Sequence, residues 1–386
     1  MKIEMLENCT GCHACSSVCS QNAIELTLNN EGFLYPAVNS ALCKQCKLCE
    51  NVCPIITPTE NEINDKPNAF AIKNNDEQVR LSSSSGGIFT GIAQNVVTAG
   101  GVVFGAKFDS DFNVVHDYTD NIAGLADFQG SKYVQSTIGD SFRNCKRLLD
   151  SGKLVLFSGT PCQIAGLKSF LQKDYPTLIT ADFICHGVPS VRLWKKYVTS
   201  KSEKYKIIKI NFRDKTNGWK NYRVAFTYSD GKTSRQDFRN DSYMRLFLKN
   251  LSLRPSCYSC NFKKVNRCSD ITLADFWGIR QEIADFDDDK GTSFVIGHSP
   301  KGQKIIENLN ACTIKEIDVD IGARHNPTLT KSVALPENRD AFFDDLTENK
   351  LSIKQLADKY AAIPLLTRTK KAIKLCLKKI LIRRKK

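Results

Sequence analysis

The feature that most constrains this chain is a pair of cysteine runs between Cys9 and Cys53. Each run has the spacing C-x-x-C-x-x-C-x-x-x-C, so that three cysteines follow at close intervals and the fourth lies farther along. Where two such runs occur together, the fourth cysteine of each run ligates the cluster of the other run. We therefore predict two 4Fe-4S clusters with exchanged fourth ligands. One would be held by Cys9, Cys12, Cys15 and Cys53, and the other by Cys43, Cys46, Cys49 and Cys19.

Two other uses of these cysteines fit the sequence less well. A zinc ion needs only four tetrahedral ligands and has no use for the third C-x-x-C step. A disulfide framework requires an oxidising compartment, and the N-terminal residues MKIEMLEN contain no apolar segment of a signal peptide. One departure is Ser20, which follows Cys19 where a proline such as Pro54 is common, and this puts the local turn in doubt more than the ligand.

The composition indicates a globular protein of two or three domains. The chain has 386 residues, of which 41% are hydrophobic and 25% are charged. No apolar run reaches transmembrane length, so we expect a cytoplasmic protein. The net charge of +14 comes mostly from residues 368–386, which hold ten Lys or Arg and no acidic residue. This basic tail favours contact with an anionic membrane at the inner face or with an acidic partner, and a solvated tail is the alternative. We expect no nucleic-acid binding.

Residues 1–58 are predicted to form the cluster-binding module, with a short hairpin between the two runs. Polar residues 57–68 read as a linker, and a second domain is expected from residue 69 to residue 345, followed by a helical extension over 346–386. Near its start, a Ser/Gly loop at 83–87 leads into an apolar helix that ends near Gly100. This helix start suits a phosphate, and plain serine capping of a buried helix is the alternative.

Residues 153–187 read as a strand–helix–strand unit whose two strands run parallel. Cys162 and Cys185 both follow the carboxyl ends of these strands, where open α/β sheets bind ligands. They are predicted to be a ligand or redox pair, with two buried free cysteines as the alternative. Cys257 and Cys260 bring the set to four thiolates, enough for a third cluster. Cys268 is a spare candidate, and a separate zinc site is also open.

The remaining patterns predict a mixed fold, both α+β and α/β in character. Residues 102–108 and those after Val114 read as a hairpin, and residues 206–238 read as an antiparallel sheet with Trp219 in a loop. Segments 241–250, 301–309 and 353–360 read as helices, and Asp270–Trp277 as a strand. A polar-aromatic loop at 128–136 holds Lys132, Tyr133 and Gln135 and is typical either of a ligand site or of a solvated loop.

Seven ordered segments of the chain closely resemble the beta subunit family of coenzyme F420 hydrogenases and dehydrogenases. They are SSSGGIF at 83–89, GGVVFGAKFD at 100–109, GSKYVQS at 130–136, LFSGTPCQIAGL at 156–167, DFICHGVPS at 182–190, RPSCYSCNF at 254–262 and SDITLADFWG at 269–278. The resemblance covers roughly residues 69–345. Members of this family often carry a two-cluster ferredoxin domain at the N-terminus, and many bacterial relatives are encoded near polysaccharide genes.

The resemblance implies a non-covalent FAD beside a 4Fe-4S cluster, held by Cys162, Cys185, Cys257 and Cys260, and it demotes Cys268. It also implies flavin or substrate contacts in three loops. The expected contacts are Ser84, Ser85, Gly86, Gly87, Lys132, Tyr133, Gln135, Gly159 and Thr160. Ala274 stands where members of the family show glycine, which matters if the backbone must approach a cofactor closely.

We therefore expect an oxidoreductase that passes electrons between the ferredoxin-type clusters and FAD, coupled to hydride transfer with a soluble substrate or a carrier like coenzyme F420. Its partner would be a redox protein or a small-molecule electron carrier. One alternative is a relay subunit of a larger redox complex, tied to polysaccharide biosynthesis, without its own substrate. Another is a zinc-binding interaction protein without redox chemistry.

Overall fold

The two cysteine runs adopt the same local structure, one on each side of a hairpin. The hairpin consists of β1 (Ile24–Leu28) and β2 (Leu34–Val38), which pair antiparallel as predicted. The third cysteine of each run lies in a one-turn helix, α1 (Ala14–Val18) or α2 (Leu48–Asn51). Each helix is preceded by a left-handed residue, His13 at φ 67° and Lys47 at φ 61°. A 3-10 helix at Lys2–Met5 completes this N-terminal module, which we call the ferredoxin module.

The computed structural model describes residues 1–58 and 66–363, and the second domain is built on an eight-stranded mixed sheet. The predicted basic tail lies outside these residues. The strands of this sheet are β3 (Asn68–Asn74), β4 (Val102–Phe108), β5 (Val114–Thr119), β6 (Val155–Ser158), β7 (Leu178–Phe183), β11 (Ile271–Asp275), β12 (Ser293–Gly297) and β13 (Cys312–Ile317). Their spatial order is β13-β3-β12-β11-β7-β6-β4-β5.

The four central strands of this sheet run parallel and the flanking strands run antiparallel. Strand β6 pairs parallel with both β4 and β7, and β7 pairs parallel with β11. Leu156 lies opposite Ile179 in the β6–β7 pair. The predicted strand–helix–strand unit is therefore confirmed, and the carboxyl ends of the parallel strands meet at one edge.

A second, antiparallel sheet of the domain has the order β10-β9-β8, formed by β8 (Ile207–Asp214), β9 (Arg223–Tyr228) and β10 (Thr233–Asp237). It confirms the antiparallel pattern predicted for residues 206–238. The domain helices are α3 (Glu77–Ser82), α4 (Ile88–Thr98), α5 (Ser141–Asp150), α6 (Pro161–Leu171), α7 (Val191–Lys201), α8 (Ser242–Leu248), α9 (Ile279–Glu282), α10 (Pro300–Glu307), α11 (Val319–Arg324), α12 (Arg339–Glu348) and α13 (Ile353–Tyr360). The mixed α/β fold class is thus confirmed.

Helix α12 runs across the domain boundary that we predicted after residue 345. Its Leu346 and the Leu356 of α13 are buried in the same apolar core as Trp194 and Phe212. Arg245 of α8 also donates hydrogen bonds to the carbonyl oxygen of residue 361 at 2.7 and 3.0 Å. The described part of the extension, residues 346–363, therefore packs onto the domain because its apolar side chains complete that core.

The ferredoxin module is packed against the second domain through apolar and charged contacts. The Phe33 side chain is fully buried and its ring lies 6.0 Å from that of Phe343. Glu31 forms a two-pronged ion pair with Arg339 at 2.6 and 2.7 Å. Arg143 of α5 donates to the carbonyl oxygens of the segment that carries Cys19. The module is therefore held in one orientation, which positions its thiols relative to those of the domain.

Within the described ranges, 1–58 and 66–363, no helix combines the length and the apolar character needed to cross a membrane.

Candidate metal and cofactor site

The thiols of the ferredoxin module surround two small cavities, and each cavity combines cysteines of both runs. Cys9, Cys12, Cys15 and Cys53 line the first cavity, together with apolar side chains such as Ile3. We call this set the first thiol set. The second cavity is lined by the second thiol set, Cys19, Cys43, Cys46 and Cys49. The structure thus brings together the same two groups of four that the spacing predicts as ligands.

Backbone N–H groups point at several of these sulfur atoms. The Gly11 N–H donates to Cys9 Sγ at 3.4 Å, the Ala23 N–H donates to Cys19 Sγ at 3.3 Å, and the Gln45 N–H donates to Cys43 Sγ at 3.4 Å. Such donors stabilise thiolate sulfur and tune the potential of a bound cluster. The turn after Cys19 closes through a hydrogen bond from the Asn22 N–H to the Cys19 carbonyl, so the turn forms without a proline at Ser20.

Burial makes Cys12 and Cys15 of the first thiol set hard to ionise on their own. Burial, followed by the nearby Cys9 and Cys53 thiols, raises the pKa of Cys15 to about 12. Burial also raises the pKa of Cys12. A thiol that coordinates a metal cation is deprotonated because the cation compensates the charge. The first thiol set therefore fits a group that supplies positive charge at the centre of the cavity.

The four thiols predicted for a third cluster come from three separate segments of the chain. Cys162 lies in the first turn of α6, whose N-cap Thr160 hydroxyl is 3.1 Å from Cys162 Sγ. Cys185 follows β7, and Cys257 and Cys260 lie in and after a 3-10 turn at Pro255–Cys257. We call these four cysteines the inner thiol set.

The segments of the inner thiol set approach one another, since a Cβ atom added at Gly187, two residues after Cys185, would lie 3.3 Å from Cys257 Cβ. Burial, followed by the Cys185 thiol, raises the pKa of Cys257 to about 12, and Cys260 acts in the same direction. Burial raises the pKa of Cys162 well above its ordinary value, and Cys185 and Cys260 add to this effect. The Val188 N–H donates to Cys257 Sγ at 3.4 Å. The fold therefore gathers the thiols that the sequence singled out.

Cys268 has different neighbours from the inner thiol set. Burial raises its pKa to about 11, and the charged groups that act on it are Asp182, Lys168 and Arg267. Among the described residues, no three Cys, His, Asp or Glu side chains lie close enough together to hold a single metal ion.

The first and inner thiol sets meet at helix α6. A Cβ atom added at Gly166 would lie 2.9 Å from Cys12 Cβ and 3.0 Å from Cys12 Sγ. Since real Cβ atoms are not found this close to other atoms, only glycine allows the module to approach α6 to this distance. Cys12 is also among the groups that raise the pKa of Cys162 in the same helix. The two sets are therefore neighbours across the module–domain contact.

The Ser/Gly loop and the polar-aromatic loop contact each other. Ser84 Oγ accepts hydrogen bonds from the Ser131 N–H at 2.6 Å and the Ser131 hydroxyl at 2.8 Å. Ser85 Oγ donates to the Thr292 carbonyl, and the Gly86 N–H donates to Ser293 Oγ at 3.0 Å. Gly87, at φ 85°, is the N-cap of α4 and provides no side-chain cap to that helix. The first N–H groups of α4 thus have neither a partner within the helix nor a side-chain cap from Gly87.

Two lysine side chains lie around the Ser/Gly loop, and burial lowers the pKa of each to about 7. Lys132 Nζ donates to the carbonyls of Asp127 and Gln129. Sequence reasoning missed Lys215, whose Nζ donates to the Ser85 carbonyl at 2.7 Å and to two further carbonyls. No local pattern marks it, because Lys215 lies 130 residues from Ser85 along the chain.

Other predicted contacts lie elsewhere in the domain. The Tyr133 hydroxyl accepts a hydrogen bond from Arg213, which also pairs with Asp275 at 2.9 Å. Gln135 lies against the ferredoxin module, where its amide donates to the Thr10 carbonyl at 3.0 Å. Gly159 and Thr160 precede α6 and therefore flank Cys162 of the inner thiol set. Eight of the nine predicted contacts thus fall into two groups, one at the Ser/Gly loop and one at the thiols, and Tyr133 lies apart from both beside Arg213.

Comparison with known proteins gave two family matches. The model of the C-terminal region of the coenzyme F420 hydrogenase/dehydrogenase beta subunit matches residues 152–320, and the model of a 4Fe-4S dicluster domain matches residues 8–55. A solved structure that resembles the chain is that of the xenon-derivatised F420-reducing NiFe hydrogenase complex from Methanosarcina barkeri. The similarity has 14% sequence identity and a TM-score of 0.45, and it covers 78% of this chain and 94% of that chain. No curated protein matches the chain.

Proposed function

We propose, on the premise that residues 152–320 belong to the coenzyme F420 hydrogenase and dehydrogenase beta subunit family, that this chain is an iron–sulfur flavoprotein oxidoreductase. It would hold two 4Fe-4S clusters in the ferredoxin module, a third at the inner thiol set and one FAD. Residues 8–55 form a 4Fe-4S dicluster domain, which supports the first two clusters. The observation that carries the proposal is that three sets of four thiols lie within one packed molecule, two of them in contact at α6.

When bound, the clusters would carry single electrons and FAD would exchange both single electrons and pairs, which is what a soluble hydride donor or acceptor such as coenzyme F420 requires. The chain's own residues would set the order in which electrons pass between the clusters. Gly166 allows Cys12 to lie against the helix that carries Cys162. Cys46 is the only exposed thiol among residues that the structure describes, so the second thiol set is the one nearest to solvent.

Exposed side chains around Cys46 support the second thiol set as the face for a redox partner. Leu42 and Leu48 have 48% and 40% of their surface exposed. Lys44 and Lys47 are exposed, and neither forms an ion pair with any residue in the described ranges. Apolar centres with a charged rim are typical of protein interfaces. The partner that best fits this face is a one-electron carrier protein with an acidic surface.

The features around the Ser/Gly loop support a flavin dinucleotide there. The start of α4 leaves N–H groups without a side-chain cap, and Lys132 lies in the loop that contacts the Ser/Gly loop. Helix starts and lysine ammonium groups both bind phosphate oxygens. Ser84, Ser85, Gly86, Gly87 and Lys132 are therefore the residues that we assign to the diphosphate region. Gly159, Thr160 and Gln135 lie nearer the thiols, so we do not assign them to it.

The experiment that tests this function is the measurement of iron, acid-labile sulfide, zinc and flavin on the anaerobically purified full chain. We expect about 12 iron atoms per chain, from three clusters of four, and one FAD. Zinc with neither iron nor flavin would refute the proposal. About 8 iron atoms would leave the inner thiol set without a cluster and would limit the protein to the ferredoxin module's electron transfer.

A further inference from the structure

Arg254 is a fully buried arginine whose side chain crosses from the second domain into the ferredoxin module. None of its surface is exposed to solvent. Its Nε donates to the Cys9 carbonyl at 2.6 Å and one terminal nitrogen donates to the Leu34 carbonyl at 2.9 Å. The other terminal nitrogen donates to Gln135 Oε1 at 3.3 Å. The guanidinium group therefore lies directly behind the loop that begins the first thiol set.

The backbone of Arg254 belongs to the loop of the inner thiol set. Its N–H donates to the Val188 carbonyl at 2.9 Å, and its carbonyl accepts from the Cys257 N–H at 2.9 Å. Val188 in turn donates its N–H to Cys257 Sγ. One residue thus joins the two thiol sets: its backbone is fixed in the loop of the inner set, and its guanidinium donates to the Cys9 carbonyl of the first set and also lies within electrostatic range of Cys257.

The charge of Arg254 has no carboxylate to balance it in the described part of the chain. Its neighbours are carbonyl oxygens, an amide and the face of Tyr35, whose ring centre lies 4.3 Å from the guanidinium carbon. Other buried arginines each form an ion pair with an acidic side chain. These pairs are Arg80–Asp288, Arg213–Asp275, Arg245–Asp358, Arg267–Asp182 and Arg339–Glu31. A buried charge is strongly destabilising unless an opposite charge compensates it, so the structure calls for an anion at this place.

We propose that Arg254 is a positioning residue that provides the counter-charge to the cluster of the first thiol set and holds that set against the inner one. This inference rests on the proposed function, since it needs a cluster at Cys9, Cys12, Cys15 and Cys53. Four thiolates around a 4Fe-4S core give a net negative group, which is the anion that the guanidinium lacks. A Cβ atom added at Gly11 would lie 2.8 Å from the Arg254 terminal nitrogen, so the charge abuts the ligand loop itself.

A fixed positive charge at this place makes the neighbouring cluster easier to reduce. Reduction adds one negative charge, and its attraction to the guanidinium is weakly screened because the site is buried. Net charge and hydrogen bonding around a cluster are among the factors that set its potential. The cluster of the first thiol set is therefore expected to have a higher reduction potential than it would have beside a neutral residue.

The test is a redox titration of the full chain with its clusters, followed by electron paramagnetic resonance, on the native protein, Arg254→Gln and Arg254→Lys. In Arg254→Gln we expect the equilibrium constant for reduction of the cluster at the first thiol set to fall at least tenfold. This corresponds to a potential lower by about 59 mV for a one-electron couple. Arg254→Lys keeps the charge and should retain most of the potential. The other centres should shift less.

The matched control is the double variant Glu31→Gln/Arg339→Gln. It removes an ion pair across the same module–domain contact, but the pair is neutral as a whole. If the potential depends only on how firmly the module is held, this variant should shift it as much as Arg254→Gln does. We expect no comparable shift, and an equal shift would overturn the inference.

Suppose that the native protein contains its iron and that Arg254→Gln leaves every potential unchanged. This result would overturn the role of Arg254 and leave the proposed function intact. A native protein without iron would refute the proposed function instead. If Arg254→Gln does not fold, Gln135→Glu serves the same purpose, because it puts a carboxylate beside the guanidinium in place of the amide oxygen at 3.3 Å. It should lower the same potential, and the absence of any shift would overturn the inference.

Discussion

The ferredoxin module and the second domain gather their thiols in opposite ways. In the module, the first three cysteines of each run lie within seven residues. Each run also contains a one-turn helix that follows a residue in the left-handed conformation. In the domain, Cys162, Cys185 and Cys257 come from three segments that only the parallel strands and the loop after α8 bring together. The comparison teaches that the first kind of site depends on local spacing, whereas the second depends on the whole fold.

The largest expected effect of a single change is at the inner thiol set. Cys185→Ser should lower the iron content from about 12 to about 8 atoms per chain, because one of four ligands is lost. Cys268→Ser is the matched control, since Cys268 is a half-buried cysteine outside that set, and its iron content should stay at about 12. Iron and sulfide analysis of both variants checks this. Equal iron losses would mean that Cys268 is a ligand.

Some features of the candidate site could be predicted from the sequence and others could not. The grouping of eight cysteines into two sets was predictable because spacing alone determines it. The carboxyl-edge placement of Cys162 and Cys185 was predictable because a strand–helix–strand unit has one handedness. The contacts of Arg254 with Cys9 and of Gln135 with Thr10 were not, since they join residues 245 and 125 positions apart and leave no local pattern.

The same distinction applies to the fold. Hairpins and amphipathic helices such as β1–β2 and α13 were predicted because their periodicity is local. Strand β13 (Cys312–Ile317) was missed because an edge strand that pairs only with β3 carries exposed polar residues along much of its length. The helical extension was separated from the domain for a similar reason, since the core that buries Leu346 is formed by distant residues.

A smaller effect is expected where the two regions touch. Gly166→Ala places a Cβ atom against Cys12, and overpacking of this kind costs about 1–3 kcal/mol, partly offset by the better helix propensity of alanine. We therefore expect a lower free energy of unfolding for this variant, measured by denaturant titration of the protein with its clusters.

The control for Gly166→Ala is Gly91→Ala in α4. Gly91 is also a helical glycine, but the nearest atom to an added Cβ lies 3.6 Å away, at ordinary contact distance. This variant should be unchanged or more stable by up to about 1 kcal/mol. If both variants behave alike, the close approach of the module to α6 does not limit the stability of the protein.

The smallest effect concerns the exposed face of the module. Lys44→Glu/Lys47→Glu should lower the rate of electron exchange with an acidic one-electron carrier protein about tenfold at low salt, because electrostatic steering is lost. The double variant Lys304→Glu/Lys315→Glu changes the charge by the same amount on exposed lysines of the domain and should leave the rate nearly unchanged. Stopped-flow rates at several salt concentrations measure both. Equal rates for the two variants would place the partner elsewhere.

The predicted exchange of fourth ligands also has a consequence for the newly made chain. Both sets of the ferredoxin module are complete once Cys53 has left the ribosome, whereas the inner set waits for Cys260. At the usual speed of synthesis, that interval is roughly 10–40 s. During this time Cys12 has no finished helix α6 to cover it, and Cys162 and Cys185 have no partners. Under the proposed function, the ferredoxin module is therefore ready to receive its clusters before the inner thiol set exists.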